Sequence, residues 1–348
     1  GVWRMRDEMK KVPRLRFRGF QEDWELCKFE RIFEKVKSYS LSREVETNEF
    51  TGMKYIHYGD IHTKKADKVS ENSNIPNIIK KNFALLEIGD LILTDASEDY
   101  KGIATPAVIR ENTSFDIVAG LHTIALRPKN IDPMFLYYLI KAPTFRKYGY
   151  KVGTGMKVFG ISSSKVLDFT TYIPKNDETK LVSSFLEKID YALDLHQRKL
   201  DQLKELKKAY LQLMFPKKDE TVPQVRFANF EENWELCKLE NIIEKQIKGK
   251  AKVENLCNGS VEYLDANRLN GGKPIYTKAL PDVSERDIII LWDGSKAGKV
   301  YYGFKGVLGS TLKAYQLKEC ANSQFIYQQL LDNQNNIYNN YRTPNIPH

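Results

Sequence analysis

Residues 12–35 read VPRLRFRGFQEDWELCKFERIFEK, and residues 222–245 read VPQVRFANFEENWELCKLENIIEK. The two stretches are identical at 15 of 24 aligned positions and share V-P, R-F, F, W-E-L-C-K and E-K in one register. Self-similarity at a long fixed interval is a statement about architecture. The offset of 210 residues is too long for a solenoid unit and suits a whole domain plus a connector. Two tandem domains on one plan are therefore expected.

The flanking sequence repeats more faintly. In the first copy, Trp24, Glu25, Leu26, Phe29, Ile32 and Phe33 have helical spacing. Tyr55 to Tyr58 read as a strand, Asp90 to Thr94 as a buried strand entered through Ile88 and Gly89, and Thr123 to Leu126 as another, ended by Arg127 and Pro128. A helix is predicted over Pro133–Lys141, and Gly153, Thr154 and Gly155 mark a loop. In the second copy Tyr263, Leu264 and Asp265 match the Tyr55 strand, and Asp287 to Ile290 match Asp90 to Leu93. Asp293, Gly294 and Ser295 match Asp95, Ala96 and Ser97. Gly309, Ser310 and Thr311 precede a strand as Gly120, Leu121 and His122 do, and Phe325 opens a helix as Phe135 does. Strands alternate with helices in both halves, so the fold class is mixed α/β (α+β).

Between the halves, residues 178–215 contain no Gly and no Pro. Leu186, Ile189, Leu193, Leu200, Leu203, Leu206 and Tyr210 recur in steps of three and four, the seam of a coiled-coil-type helix that Pro216 stops. As one helix the stretch would be roughly 57 Å long. His196 falls on that seam as a polar, register-fixing residue. A lone helix with such a stripe needs a partner. The expected layout is a flexible lead over 1–11, a first domain over 12–175, a spacer helix over 176–216 and a second domain over 217–348 without a second long helix.

Composition narrows the class. At 348 residues, with 42% apolar and 11% aromatic content, the chain can build two cores. No apolar run of membrane-spanning length is present, and the charged N-terminus lacks a secretory core. The four cysteines form no C-x-x-C pair, and Cys27 and Cys237, at one repeat position, are expected to be small buried apolar residues. A reducing, cytoplasmic setting fits. The net charge of +9 favours a polyanion, nucleic acid first and an anionic membrane surface second.

The order of these features resembles the specificity subunit of type I restriction–modification enzymes. The residues that carry the likeness are Val12, Pro13, Arg16, Phe17, Phe20 and Trp24, and their copies Val222, Pro223, Arg226, Phe227, Phe230 and Trp234. With them stand the helix ending Leu206, Lys207, Lys208 through Leu211, Gln212, Leu213, Met214 and Phe215, and a terminal segment over 345–348. The resemblance implies two similar target-recognition domains, each reading one half of a split site in double-stranded DNA, joined by the long helix. It also implies docking to methyltransferase subunits, which methylate adenine at N6, and to restriction/motor subunits that cut. Such a subunit performs no chemistry. S-adenosylmethionine, ATP and Mg²⁺ would belong to the partners, with no cofactor, metal or membrane for this chain. The distal helix of the family is not found, which raises self-association through the bare seam.

Base reading needs side chains in the major groove and cations on phosphates. The candidate DNA contacts in the first domain are Thr63, Lys64, Lys65, Ser97, Lys101, Gly153, Thr154, Gly155 and Lys157. In the second they are Arg268, Asn270, Lys273, Ser295, Lys296, Lys299 and Arg342. Leu186, Ile189, Leu193, Leu200, Leu203, Leu206 and Tyr210 are the candidate subunit interface.

Catalytic patterns are weak. Residues 294–300 resemble a phosphate loop that is one residue short, with Val300 in place of the hydroxyl that would hold Mg²⁺. Gly153 and Gly155 lack the third glycine of a dinucleotide loop. His57 and His62 lack a third ligand, and no Asn-Pro-Pro-Tyr/Phe methyltransferase motif occurs. Asp90, Asp95 and Lys101 form the one imaginable nuclease cluster, against the simpler reading of a strand-entry and a turn aspartate. A DNA-processing nuclease is therefore the alternative from the enzyme class, and an assembly protein whose helix is its main function is a third.

Overall fold

The computed structural model describes residues 12–155, 158–217, 219–252, 259–294 and 296–340. The expected lead over 1–11, the terminal segment over 345–348, and the candidates Lys157, Ser295 and Arg342 lie outside these residues. The chain forms two compact units, divided between Leu195 and His196. The division falls inside the long helix, so each unit carries part of it.

The first unit is organised by a five-stranded sheet in the order Phe33–Val36, Thr123–Pro128, Leu91–Thr94, Pro106–Ile109, Lys68–Val69. Its middle strand, Leu91–Thr94, is buried at every residue, because both faces of the sheet are covered. Leu91 and Leu93 join a core with Phe29, Phe135, Leu136, Phe145 and Phe169. Ile92, pointing the other way, joins one with Ile56, Ile61, Val69 and Ile117. Burying side chains of this size is worth roughly 1.5–3 kcal/mol each. A second sheet runs Asp116–Ala119, Met53–Ile56, Asn77–Ile78, Glu46–Thr47, and its first two strands are parallel.

The second unit repeats this plan in fewer residues. Its four-stranded sheet runs Ile243–Lys248, Leu312–Leu317, Ile288–Leu291, Val300–Tyr301, and a three-stranded sheet runs Ile275–Thr277, Val261–Leu264, Val307–Leu308. The inner registers match, while the outer strand Ile243–Lys248 departs by a bulge between Ile243 and Lys245 that Phe33–Val36 lacks. Tyr55 pairs in parallel with Val118 as Tyr263 does with Val307. The Gly120 amide donates to the Ile56 carbonyl and the Gly309 amide to the Leu264 carbonyl, each at 2.8 Å. Asp90 accepts the Glu87 amide at 2.8 Å, and Asp287 accepts the Ser284 amide at 2.7 Å.

Several expectations are corrected. The helical spacing over residues 24–33 does not give one continuous helix. Glu25–Lys28 is a strand paired with Thr170–Ile173, Phe29–Ile32 makes one helical turn, and Phe33–Val36 enters the main sheet. The apolar spacing is helical, but a strand partner far along the chain decides. The Tyr55 strand ends at Ile56, where His57 caps the short helix Tyr58–His62. Pro133–Lys141 is helical with the expected bounds, capped by Asp132 accepting the Phe135 amide at 2.9 Å.

The pairing of Asp293 with Asp95 is one residue out. Thr94 faces Thr123 across the sheet as Leu291 faces Leu312. The next residue on each strand donates its amide backwards at 3.1 Å, Asp95 to the His122 carbonyl and Trp292 to the Thr311 carbonyl. Trp292 therefore stands where Asp95 does, and Thr311 where His122 does.

The long helix spans Asn176–Leu213, 38 residues, or about 57 Å. It ends three residues before Pro216, since the residue preceding a proline is kept out of helical geometry. Its first turns are fastened to the first unit. Arg16 grips the buried Glu178 with two bonds of 2.7 and 2.8 Å, and Phe17 meets Phe185 edge-on at 5.8 Å. Lys68 pairs with Asp190 at 2.7 Å and Arg110 with Glu187 at 3.1 Å. Beyond that, every residue from 191 to 210, His196 included, is exposed.

The second copy of the repeat segment behaves differently. Glu235 to Lys238 pair with no strand among the described residues, Leu236 is fully exposed, and Phe227 and Phe230 are 72% and 64% exposed. Arg226 bonds the Glu232 carbonyl rather than a carboxylate. Cys237 is exposed where Cys27 is half-buried, so the buried-thiol expectation fails for the second copy. Trp234 keeps its counterpart's contact, meeting Phe325 edge-on at 5.6 Å as Trp24 meets Phe135 at 6.2 Å.

Candidate nucleic-acid interface

In the first unit, one edge collects the segments that leave the strand ends. The helix Tyr58–His62 packs near Leu91–Thr94, and its exit presents Thr63, Lys64 and Lys65, all exposed. His62 Nε2 sits 3.1 Å from the Ala96 carbonyl, which joins this exit to the loop after Leu91–Thr94. Ala96–Ser97 then pairs with Phe159–Gly160, and Tyr100 lies on Phe159 at 3.8 Å. The three candidate loops of this unit, at 63–65, 97–101 and 153–155, are thus neighbours.

Their residues are not equally available. Lys64, Lys65 and Lys101 are exposed. Thr63 spends its hydroxyl on the Gly59 carbonyl at 2.7 Å. Ser97 is only 6% exposed and its oxygen accepts the Asp99 amide at 3.3 Å, so it offers no surface hydroxyl, contrary to the sequence-based expectation. The glycine loop has a structural reason of its own. Gly155 sits at φ +129°, where a Cβ would lie 1.9 Å from the Val158 carbonyl oxygen, and Thr154 and Gly160 exchange backbone bonds of 2.9 and 2.7 Å. Gly153 and Thr154 belong to the same closure.

The matching edge of the second unit carries the same two loops. Asp265 caps Ala266–Leu269 by accepting the Arg268 amide at 2.7 Å. Asn270 then bonds the Tyr301 hydroxyl at 3.0 Å and receives Lys299, whose ammonium also lies 5.3 Å from the Tyr301 ring. Arg268 is tied to Glu262. Lys273 and Lys296 stay exposed. The phosphate-loop reading of 294–300 fails on context, because the turn leads into strand Val300–Tyr301 and not into a helix.

The nuclease cluster also dissolves. Asp90 is fully buried and gripped by Arg127 through bonds of 2.8 Å from both Nε and Nη2. Asp95 holds His122 Nδ1 at 3.0 Å. His57 is spent as well, its Nδ1 accepting the Gly59 amide at 3.1 Å. Burial holds the His57 imidazole below its usual pKa, and the nearby Arg43 guanidinium adds to that.

Sequence reading missed two groups at this edge. In the first unit His122 is half-exposed, its ring set edge-on against Tyr58 at 5.3 Å. In the second, Trp292 carries Lys248 and Lys313 over its ring at 4.8 and 5.2 Å. The available signal was the position of His122 immediately before a strand, two residues after a glycine.

On the long helix, Leu193, Leu200, Leu203, Leu206 and Tyr210 are between 47% and 63% exposed, Ile189 is 41% exposed, and Leu186 is half-buried. No helix is long and apolar enough to cross a membrane among the described residues.

Comparison with known proteins gives this geometry a family. The model of the type I restriction modification DNA specificity domain matches residues 21–205, more than half of the chain. The type I restriction enzyme MjaVIII specificity subunit of Methanocaldococcus jannaschii is 30% identical over 140 residues, 38% of this chain and 32% of that protein. The chain thus spans about a third of the length of this curated relative. The crystal structure of a type I restriction–modification S subunit from M. genitalium superposes with a TM-score of 0.57 at 15% identity, covering 97% of this chain and 84% of that one. A chain from a structure describing assembly and conformational transition of the type I R-M system gives 0.54 at 13% identity, covering 92% and 82%. At these identities the superpositions speak to the fold.

Proposed function

The chain belongs to the type I restriction modification DNA specificity family, and from that premise we propose that it is the sequence-reading subunit of a restriction–modification complex. Each unit reads one half of a bipartite site in double-stranded DNA. The observation that carries this reading is the matched edge. Equivalent strand ends in both units put basic loops side by side, Lys64, Lys65 and Lys101 in one, Lys273, Lys296 and Lys299 in the other, on a shared backbone plan. A common skeleton with unlike loop residues suits two unlike half-sites, with phosphate contacts setting register and base contacts setting sequence.

The bare stripe of the long helix supports docking of methyltransferase subunits, with restriction/motor subunits joining that complex in the cytoplasm. Adenine-N6 methylation and cleavage, with S-adenosylmethionine, ATP and Mg²⁺, belong to those partners on this reading, and the chain itself is not catalytic. Left without a partner, the same stripe drives self-association.

Selection from a pool of randomised duplexes by the chain with its methyltransferase partner tests the reading. The expected product is a motif of two conserved blocks separated by a fixed unconserved gap. A pool with no enriched motif overturns it.

A further inference from the structure

The one-residue correction at the end of the central strand places two unlike groups at one address. We infer that this address is a specificity determinant used in two ways: His122, aimed by Asp95, reads a base edge in the first half-site, whereas Lys248 and Lys313, held over Trp292, grip a phosphate in the second. The inference rests on the DNA-reading function proposed above and assigns the contacts within it.

In the first unit the imidazole is oriented from two sides. Asp95 Oδ1 lies 3.0 Å from Nδ1, and Tyr58 stands nearly perpendicular at 86°. A carboxylate at Nδ1 fixes the proton there and leaves Nε2 as an acceptor in the neutral ring. Nε2 has no partner among the described residues, and the side chain is 48% exposed. An oriented ring nitrogen without a partner complements a hydrogen-bonding group on a base edge in the major groove. His122 also holds a left-handed backbone at φ 56°, a conformation for a side-chain-bearing residue that persists where surroundings enforce it. It belongs to the same edge as Lys64 and Lys65, through Tyr58 and His62, whose rings are 5.9 Å apart.

In the second unit the same place offers no free hydrogen-bonding atom on the ring, because Trp292 Nε1 donates to the Ser310 carbonyl at 3.2 Å. It offers charge instead. Lys248 and Lys313 are directly opposite each other on neighbouring strands, an arrangement that like charges disfavour. Both ammonium groups lie near the Trp292 ring, and neither has a carboxylate partner among the described residues. An anion shared by the two lysines relieves their repulsion, and in a DNA complex that anion is a backbone phosphate.

The two roles separate by experiment. The full chain with its methyltransferase partner is put through duplex selection and through a salt titration of binding to the selected duplex. His122→Ala is expected to open one position of one half-site, with discrimination there falling about ten-fold or more, and to leave the salt dependence unchanged. Lys313→Ala is expected to leave both halves of the motif intact and to reduce the slope of log affinity against log salt by about one. His122→Asn, which tolerates the left-handed backbone, and Lys313→Gln serve as second variants, with thermal melting of each protein as the folding control. If the His122 variants leave every position closed, or the Lys313 variants leave the slope unmoved, the inference is overturned while the function stands. If the unsubstituted complex selects no two-part motif, the function itself fails.

Discussion

At the scale of single residues, a buried aspartate is ion-paired in one copy and, among the described residues, not in the other. Asp90 has Arg127, whereas the matching place in the second unit, opposite Ile288, leads to Gln316 next to Tyr315. Arg127→Ala strands a fully buried carboxylate, and breaking such a pair costs about 3–5 kcal/mol. Denaturant unfolding followed in the first unit should show a loss of that order, and a change below about 1 kcal/mol would contradict the structural role given to Asp90.

His57 supplies a pH dependence with a fixed sign. Its folded-state pKa is depressed by burial and by Arg43. The unfolded chain therefore takes up the proton first as pH falls. Its contribution is complete above the ordinary histidine pKa of about 6.5, and is lost as pH falls from there through the depressed folded value. Thermal melting from pH 7.5 downwards should show this decline in the first unit. His57→Asp copies the cap that Asp265 provides in the second unit and should remove the histidine part of it. An unchanged pH profile in that variant would refute the assignment.

At the scale of elements, the repeat segment shows how one sequence takes two environments. The first copy is closed by strand Thr170–Ile173 and by the start of the long helix, through Arg16 and Glu178. The second copy leaves Phe227, Phe230 and Leu236 open, beside a groove lined by Tyr210, Met214, Phe215, Trp234 and Phe325. Arg16→Ala should therefore lower the melting temperature of the first unit, while Arg226→Ala should leave that of the second nearly unmoved. Equal effects of the two substitutions would contradict this difference.

The seam makes a separate prediction. Leu200→Glu together with Leu203→Glu should abolish any self-association measured by light scattering and weaken capture of the methyltransferase partner. Unaltered capture would show that the partner docks elsewhere.

These same elements mark what could be read beforehand. The helix Pro133–Lys141 and the long helix were legible because their signals are local: a capping aspartate with proline behind it, and an apolar stripe uninterrupted by Gly or Pro. Residues 24–33 carry helical spacing, but their structure is set by strand partners distant in sequence. The pairing of Asp293 with Asp95 failed because Asp-x-Ser recurs in both copies one residue apart. Sequence similarity followed the side chains, and backbone hydrogen bonding fixes the place of Trp292. Ser97 lies in a polar loop, but the chain uses its hydroxyl internally, and the pairing of His122 with Asp95 is hidden in sequence because three strands lie between them.

At the scale of the whole molecule, the account is that one backbone plan occurs twice and that each occurrence reads its own stretch of duplex. Each unit has hydrophobic cores of its own around its own sheets, which makes the reading edges separable. The most direct test is methylation mapping of the genome in cells carrying this chain with its partner subunits. It is repeated after residues 29–170 are exchanged for the matching domain of another specificity chain. The account predicts a two-block methylated motif in which the exchange rewrites one block and leaves the other unchanged. A single contiguous motif, or an exchange that alters both blocks together, would contradict it.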